Sequence, residues 1–278
     1  MGRGFPERIV RDYLVFQLYG PFASWGDIAV GETRPSAMTP SRSAILGILA
    51  AALGLKRPDT AESEPEREEW EQAHAALAQG YGLAVKVDCP GQPLSDYHTA
   101  QVPSSGKGKN RTVFPTRRDE IVRMPRHDLH TILSRREYRQ DAFAACALWA
   151  RDGAPFALTA LRDALISPVF PLYLGRKSCP PALPLDPQVI GAATIEAALE
   201  RAALAATLAK LDEFWKGRGP KAWLQETGAN RPMLLWDDDA ETELSRDETH
   251  TRRDQPLSRV RWQFSVRSEH RTHLERKP

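Results

Sequence analysis

Apolar positions in the first quarter of the chain predict a strand, a loop and a helix. Tyr13–Leu18 is a short apolar run between charged residues and a Gly-Pro pair, which is typical of a central strand. Gly20–Pro40 is rich in Gly, Pro, Ser and Thr and therefore predicts a loop. A helix capped by Ser41 and ended by Gly54 should follow. Its apolar face is formed, at the i, i+3, i+4 spacing, by Ile45, Ile48, Leu49, Ala52 and Leu53.

The middle of the chain completes the order of an α+β unit. Tyr81–Val87 alternates as a strand does, and Ala142–Ala150 is apolar enough for a buried strand. Pro155–Ile166 has helical spacing, and Val189–Ile190 indicates a last short strand. Up to about residue 192 the order is strand, helix, strand, strand, helix, strand, which is that of a ferredoxin-like (RRM-like) βαββαβ body. Glu62–Gln79 adds an acidic surface helix.

Two segments fall outside this body. Asp96–Arg126 has few apolar residues to bury, so we expect it to project as an inserted arm. Later in the chain, Thr194 caps a long amphipathic helix that should end near Gly217, and short strands are expected around Pro232–Trp236 and Arg259–Val266. The predicted units are a body at 1–192, with its arm at about 96–126, and a small C-terminal α/β extension at 193–278.

Composition excludes several classes of protein. The 278 residues, 41% of them apolar and 27% charged, are typical of a folded globular protein. No apolar run reaches the roughly 18 residues of a transmembrane helix, and the first residues lack a signal peptide, so we expect a cytoplasmic protein without membrane contact. The cysteines Cys89, Cys146 and Cys179 are far apart and lack ligand spacing. The sequence therefore predicts neither a metal nor a cofactor.

The net charge of +2 conceals two basic windows. Gln101–Gln140 holds ten basic and four acidic residues, and Thr249–Pro278 holds eight and three. The first window has aromatic residues nearby, Tyr97 and Phe114, a combination that indicates single-stranded RNA. Duplex DNA is less favoured because no recognition helix or zinc-finger spacing is present. The alternative is a basic loop without a dedicated partner. The arm residues that carry the RNA hypothesis are Lys107, Lys109, Arg111, Arg117 and Arg118.

Two further segments have the character of anion sites. The helix start that contains Arg42 offers free N–H groups, and a bound phosphate would balance the cation placed there. The alternative is an arginine directed into solvent. In the loop around Gly175, the glycine allows a close backbone approach to phosphate, which Arg176 and Lys177 would neutralise. This loop lacks the pattern of a nucleotide P-loop, so ATP hydrolysis is not supported.

His98 is a candidate general base. With Tyr97 beside it and lysines nearby, it has the components of a metal-independent ribonuclease site. The alternative is a hydrogen-bonded loop histidine without a catalytic role. His127 and His130 are close in sequence, but they lack carboxylate or cysteine partners at ligand spacing, so a metal site is not supported.

A set of short motifs occurs in order over about Tyr13 to Arg267. These motifs are Gly20-Pro21, Ser24-Trp25-Gly26, Glu32-Thr33-Arg34-Pro35, Pro40-Ser41-Arg42-Ser43, Leu46-Gly47, Asp96-Tyr97-His98-Thr99, Tyr173-Leu174-Gly175-Arg176-Lys177-Ser178-Cys179-Pro180 and Arg252-Arg253-Asp254. In these motifs the sequence resembles the CasD family of type I-E CRISPR systems.

The resemblance implies a non-catalytic, repeat-associated RNA-binding subunit that caps one end of the Cascade complex. It implies binding to the 5′ handle of the guide RNA and contacts with the CasC backbone and the large subunit CasA. The family's thumb interrupts pairing between guide and target DNA, so contact with DNA would be indirect. A related type I-C subunit processes guide RNA, which keeps a nuclease at His98 and Tyr97 as the alternative. Besides the five basic arm residues named above, the residues to which RNA binding is assigned are Trp25, Arg34, Ser41, Arg42, Ser43, Tyr97, His98, Gly175, Arg176 and Lys177.

Overall fold

The computed structural model describes residues 10–103, 114–202, 204, 213 and 231–275. It has a mixed α/β fold built on one large, mainly antiparallel sheet. The strands are β1 (Arg11–Ala23), β2 (Trp25–Gly26), β3 (Thr33–Arg34), β4 (Ser36–Ala37), β5 (Tyr81–Cys89), β6 (Gln92–Pro103), β7 (Leu129–Ala150), β8 (Gln188–Ala192), β9 (Met233–Trp236), β10 (Glu248–Ser258) and β11 (Gln263–His273). The helices are α1 (Arg42–Leu53), α2 (Glu64–Gln79), α3 (Arg117–Arg123), α4 (Leu158–Ile166) and α5 (Ile195–Arg201), with 3₁₀ turns at Pro58–Thr60 and Arg126–Asp128.

The large sheet separates two apolar cores. Its strands run in the order β10-β11-β9-β5-β7-β1-β8, and β3 and β6 also pair with β7. Helices α1, α2 and α4 cover one face, where they pack around Phe16, Val85 and Cys146. Helix α5 covers the other face with Val15 and Trp149. Since successive strand residues face opposite sides, these strands need apolar residues at every position. No helix within the described residues is long and apolar enough to span a membrane.

The predicted helix after residue 40 is confirmed at both ends. The Ser41 hydroxyl accepts a hydrogen bond from the N–H of Ala44 at 3.2 Å, and Gly54 ends α1 with a φ of 77°. Only glycine adopts this left-handed conformation without a Cβ penalty. The elements predicted from periodicity elsewhere are also confirmed, with shifted ends: α2, β5, the second half of β7, α4, β8 and β9.

Two predictions differ from the structure, and a third is described only in part. The segment Gly20–Pro40 is not only a loop, because it holds the end of β1 and three two-residue strands. The strand expected at Arg259–Val266 is instead the turn between β10 and β11 and the start of β11. Thr194 caps α5 as predicted. The expected continuation of this helix toward Gly217 falls almost entirely outside the described residues.

The arm is a β-hairpin whose root lies in the body. Strand β6 pairs with β7 from Gln92 opposite Gln140 to Pro103 opposite Leu129. No residue of β6 is buried, whereas β7 becomes buried from Ala142 onward. The predicted arm at 96–126 is therefore too short, since the paired strands start four residues earlier and return as far as residue 140. The segment 104–113 lies outside the described residues.

Buried charges join the strands after residue 231 to α1. The side chain of Arg42 donates to Asp237 at 2.6 Å and to the carbonyls of Ala78, at 3.0 Å, and Tyr81. Only 1% of Arg42 is exposed. Its backbone N–H donates to the Asp254 carboxylate at 2.7 Å. A buried charge is tolerated only when it is paired, so this arginine locks the C-terminal strands onto the body.

The network continues through two further arginines. Asp237 also pairs with Arg151 at 2.9 Å and with Arg267 at 3.0 Å. Arg267 in turn binds Asp254 at 2.7 Å and contacts Glu269. Each carboxylate therefore faces at least one guanidinium, which offsets the cost of removing these charges from water.

The first prediction concerns Arg42. Arg42→Met should lower the free energy of unfolding by about 3 kcal/mol, the low end of the range for a broken buried pair, because Asp237 keeps its other arginine partners. Urea denaturation measures this change. The matched control is Arg162→Met, since Arg162 lies on α4 and, among the described residues, pairs with exposed Asp163 alone. It should change stability by less than about 0.5 kcal/mol, and equal effects of the two variants would contradict the role of Arg42.

The second prediction concerns acid stability. Burial alone would raise the pKa of Asp254, but Arg267 and the N–H of Arg42 outweigh it and hold that pKa below its usual range. Burial would likewise raise the pKa of Asp239, but the hydrogen bonds that Arg151 donates to its carboxylate lower this pKa to about 2. Both carboxyl groups therefore have a lower pKa in the folded state than the value of about 3.9 for an unfolded aspartate. Their contribution to the free energy of unfolding is complete above the unfolded pKa and is lost as the pH falls through the folded pKa.

Asp254→Asn should therefore reduce the slope of unfolding free energy against pH between about pH 5 and pH 3. Denaturant titrations at several pH values measure that slope. The control is Asp163→Asn, which changes a surface carboxylate paired with a neighbouring arginine. A wild-type slope in the Asp254 variant would contradict the argument.

Candidate nucleic-acid interface

The two faces of the arm carry different side chains. Tyr97 and His98 are neighbours on β6, so their side chains point to opposite faces. Tyr97 is 56% exposed and lies opposite Arg135 of β7. His98 lies opposite Ser134 and makes a short contact through Nε2 with Asp96 on its own face. The structure therefore does not bring Tyr97 and His98 into one catalytic site, although it supplies His98 with a carboxylate partner.

The basic residues of the arm are described only in part. Arg117 begins α3 and forms an ion pair with Glu120, and Arg118 beside it is exposed. Thr116 caps this helix by accepting a hydrogen bond from the N–H of Asp119 at 3.1 Å. Lys107, Lys109 and Arg111 lie outside the described residues.

Gly175 has a steric role. It has a φ of 88°, and a Cβ there would lie 1.8 Å from the carbonyl oxygen of Ser24. The N–H of Ser24 also donates to the carbonyl of Leu174 at 2.9 Å. The close approach that we expected between this glycine and a phosphate is thus an approach to the end of β1, which requires glycine.

Arg176 binds carbonyls of the protein itself. Its guanidinium donates to Glu137 O at 3.2 Å and to Arg34 O at 3.1 Å, and lies over the ring of Tyr138 at 4.9 Å. The guanidinium is thus committed to β3 and β7, which corrects the expectation that it directly neutralises a phosphate. Lys177 is exposed and keeps the charge that was expected of the loop.

The start of α1 does not present its arginine to a phosphate. Arg42 faces neither solvent nor an external anion, so both sequence-based interpretations of this side chain are wrong. The anion at the helix N-terminus is the carboxylate of Asp254, which accepts from the Arg42 N–H. Ser41 is 4% exposed and caps the helix, while its hydroxyl lies 3.0 Å from that of half-buried Ser43.

The expectation that Trp25 binds RNA is also corrected. It is 2% exposed and belongs to the core under α1, so no base can stack on its ring in this conformation. Its backbone N–H donates to the hydroxyl of Ser36, which pairs β2 with β4. The signal that could have indicated burial is the position of Trp25 two residues after the apolar end of β1.

Arg34 is brought to the root of the arm. It lies on β3, which runs parallel to β7 and pairs Thr33 with Arg135 and Arg34 with Arg136. Arg34, Arg135 and Arg136 are all exposed. The sequence analysis missed the two β7 arginines, although the adjacent pair within the first basic window was the available signal.

These placements give a cationic surface that covers both faces of the root of the arm. Loop 174–179, which carries Lys177, meets β3 and β7 there; Arg34 and Arg136 share one face, and Arg135 shares the other face with Tyr97. Guanidinium groups bind phosphate oxygens through paired N–H donors, and an exposed tyrosine offers a surface for base stacking. Within the described residues, no group of three or more His, Cys, Asp or Glu residues is placed to hold a metal ion. The exposed guanidinium groups can therefore bind a polyanion.

Comparison with known proteins adds to this geometry. The family model for CRISPR-associated protein (Cas_Cas5) matches residues 13–269. The chain is 34% identical over 176 residues to the CRISPR system Cascade subunit CasD of Escherichia coli (strain K12), covering 63% of this chain and 70% of that protein.

Two solved structures are similar in fold. One belongs to a CRISPR RNA-guided surveillance complex, with a TM-score of 0.52 and 24% identity over 94% of this chain and 89% of that chain. The other is the crystal structure of a Cas protein, with a TM-score of 0.51 and 21% identity over 94% of each chain.

The third prediction tests the junction. Gly175→Ala should lower the free energy of unfolding by more than about 1 kcal/mol, because alanine disfavours the positive φ and its Cβ meets the Ser24 carbonyl. Chemical denaturation measures the loss. Gly26→Ala is the matched control, since a Cβ at Gly26 meets nothing within 4 Å. Equal stabilities of the two variants would show that the loop does not need glycine at position 175.

Proposed function

The chain belongs to the CRISPR-associated Cas5 family, and we propose that it is a non-catalytic subunit of a type I-E Cascade complex that binds the 5′ handle of the guide RNA. The observation that carries this proposal is the cationic surface at the root of the arm. Exposed Arg34 of β3 and Arg136 of β7 lie side by side on one face, and exposed Arg135 of β7 lies opposite Tyr97 on the other face. Such a surface can bind phosphates and stack a splayed base, which is how single-stranded RNA is recognised.

The proposed RNA contacts are those that remain accessible. They comprise Arg34, Lys177, Tyr97 and His98, to which we add the exposed arginines 135 and 136. The buried positions Trp25, Ser41 and Arg42 are not included, because their side chains are engaged within the protein. The proposal also includes the arm residues Lys107, Lys109, Arg111, Arg117 and Arg118.

We also propose that the body is ferredoxin-like, with residues 1–192 as the RNA-binding unit and 193–278 as an extension of its sheet. The order β5-β7-β1-β8 with all neighbours antiparallel supports this interpretation. In chain order these strands are the second, third, first and fourth of a βαββαβ unit. The arm is then an insertion between the second and third strands.

The partners proposed are the CasC-type backbone subunit and the CasA-type large subunit, with target DNA contacted only through the guide. Exposed apolar side chains on the body support contact with other proteins. Ile166, Val169, Phe170 and Tyr173 lie close together in the chain, and all are exposed. A complex of this kind acts in the cytoplasm.

A nuclease that cuts repeat RNA without a metal is the competing function. The pairing of His98 with Asp96 would suit a general base. However, Tyr97 points to the opposite face of β6, so the site would need its acid from elsewhere. We therefore propose binding without cleavage, and treat cleavage as the outcome that contradicts it.

The fourth prediction tests this function on the full chain. The labelled probe is an RNA transcribed from the repeat of the host's own CRISPR array, incubated in EDTA. We expect binding that weakens with salt and no cleavage. Replacing Lys107, Lys109 and Arg111 by Ala should reduce the slope of log affinity against log salt by about 0.7 for each lost phosphate contact.

Controls separate the possible outcomes of this experiment. A variant with Arg67, Arg162 and Arg201 replaced by Ala removes the same charge from helices α2, α4 and α5, and it should keep the wild-type slope. An unchanged slope in the arm variant would exclude the arm from the interface. Cleavage that is abolished by His98→Ala would establish the nuclease instead.

A further inference from the structure

We propose that Arg34 and Arg136 form a subsite for one phosphodiester of single-stranded RNA, and that Arg176 positions this subsite without binding RNA itself. This inference rests on the proposed function and specifies where the RNA backbone crosses the root of the arm. It assigns a binding role to Arg136 and replaces the phosphate contact first expected of Arg176.

The strand pairing places the two arginines side by side. Arg34 of β3 is the direct partner of Arg136 of β7 in a parallel ladder. Directly paired residues point to the same face, and neighbouring strands lie about 4.8 Å apart. Two guanidinium groups therefore leave the sheet from adjacent positions, both in exposed surroundings.

No acidic side chain neutralises this pair within the described part of the chain. Arg34 uses only Nη1 to donate to the carbonyls of Gly31, at 2.6 Å, and Thr33, at 3.1 Å, so Nη2 can donate to a phosphate, whereas Arg176 uses both of its terminal nitrogens on carbonyls. Along the other edge of β7, Asp96 of β6 lies directly opposite Arg136. The carboxylate of Asp96 contacts His98 instead of Arg136. Like charges directly opposite each other destabilise a sheet. An anion bound between the two arginines would remove that repulsion.

The Arg176 guanidinium lies on the same face as Arg34 and Arg136, and it already binds groups of the protein itself. Tyr138 follows Arg136 by two residues, so the two side chains share a face, and Arg176 lies over the tyrosine ring. The Arg176 guanidinium also binds the carbonyl of Arg34 itself and that of Glu137. It therefore fixes the backbone of β3 against β7, and with it the spacing of the two phosphate-binding arginines.

The chemistry of the pair matches a phosphodiester. A phosphodiester carries one negative charge on two oxygens, and two guanidinium forks can each donate to one or both of them. A pair of lysines would give the same charge without this planar geometry. The contact would be to the backbone and would not depend on base sequence, so it would set the path of the RNA and leave base selection to other residues.

The test uses the full chain and two labelled single-stranded RNAs, one transcribed from the repeat of the host's CRISPR array and one of polyuridine. Affinity is measured over a series of salt concentrations for Arg34→Gln, Arg136→Gln, the double variant and the control Arg162→Gln. Because the two arginines share one phosphate, the double variant should reduce the salt slope by about 0.7 on both RNAs, each single variant should weaken binding with a smaller change of slope, and the control should change neither. Thermal unfolding without RNA should show both single variants close to the wild-type midpoint, because Arg34 and Arg136 are exposed.

The role of Arg176 is tested by non-additivity. Arg176→Lys should weaken RNA binding in the wild-type background and have no further effect in the Arg34→Gln, Arg136→Gln background. Additive losses would mean that Arg176 contacts RNA and would overturn its positioning role. A wild-type salt slope and affinity in the double variant would overturn the subsite while leaving the proposed function intact. A wild-type chain that binds neither RNA would overturn the proposed function and the subsite together.

Discussion

The structure depends on the continuity of β7, which belongs to the body and to the arm at once. Its second half lies in the apolar core between β1 and β5, and its first half pairs with β6 outside that core. Side chains fixed in the core by close packing have no freedom to rotate the strand. The orientation of the arm relative to the body is therefore determined by the same packing that stabilises the sheet. Asp141, with a φ of 53°, marks the position where the strand passes from one environment to the other.

The arginines illustrate how burial and neighbours decide the role of one residue type. Arg42 is enclosed by Asp237 and backbone carbonyls, and it holds distant parts of the chain together. Arg176 binds carbonyls and an aromatic ring at the surface, and it fixes a junction. Arg34 and Arg136 have no acidic partner among the described residues and remain available. A guanidinium always carries its charge, so a buried one must meet a carboxylate, a carbonyl or an aromatic face, whereas an exposed one is hydrated until a ligand binds.

The sequence predicts the helices and strands whose apolar residues recur with a clear period. It does not predict contacts between residues that are far apart in the chain. Helix α1 and strands β5 and β8 follow from apolar spacing and capping residues, and the family resemblance read from short motifs is confirmed. By contrast, Arg42 meets Asp237 across 195 positions and Asp254 across 212, and no local pattern reports such partners. The two-residue strand β3 has no period of its own, so its pairing with β7 could not be foreseen. The sequence therefore predicted that a cationic surface exists, but it identified only some of the residues that form it.

The ladder between β6 and β7 has a consequence for how the length of the arm can vary. Side chains alternate between the two faces, so adding one residue pair to each strand beyond Arg136 reverses the faces only of the residues farther out. Adding two pairs restores the alternation and moves the tip outward by roughly 7 Å. The reach of the hairpin can thus change in discrete steps while its base stays constant. Evolution can in this way adjust how far the protein extends along a bound strand without rebuilding the place where that strand enters.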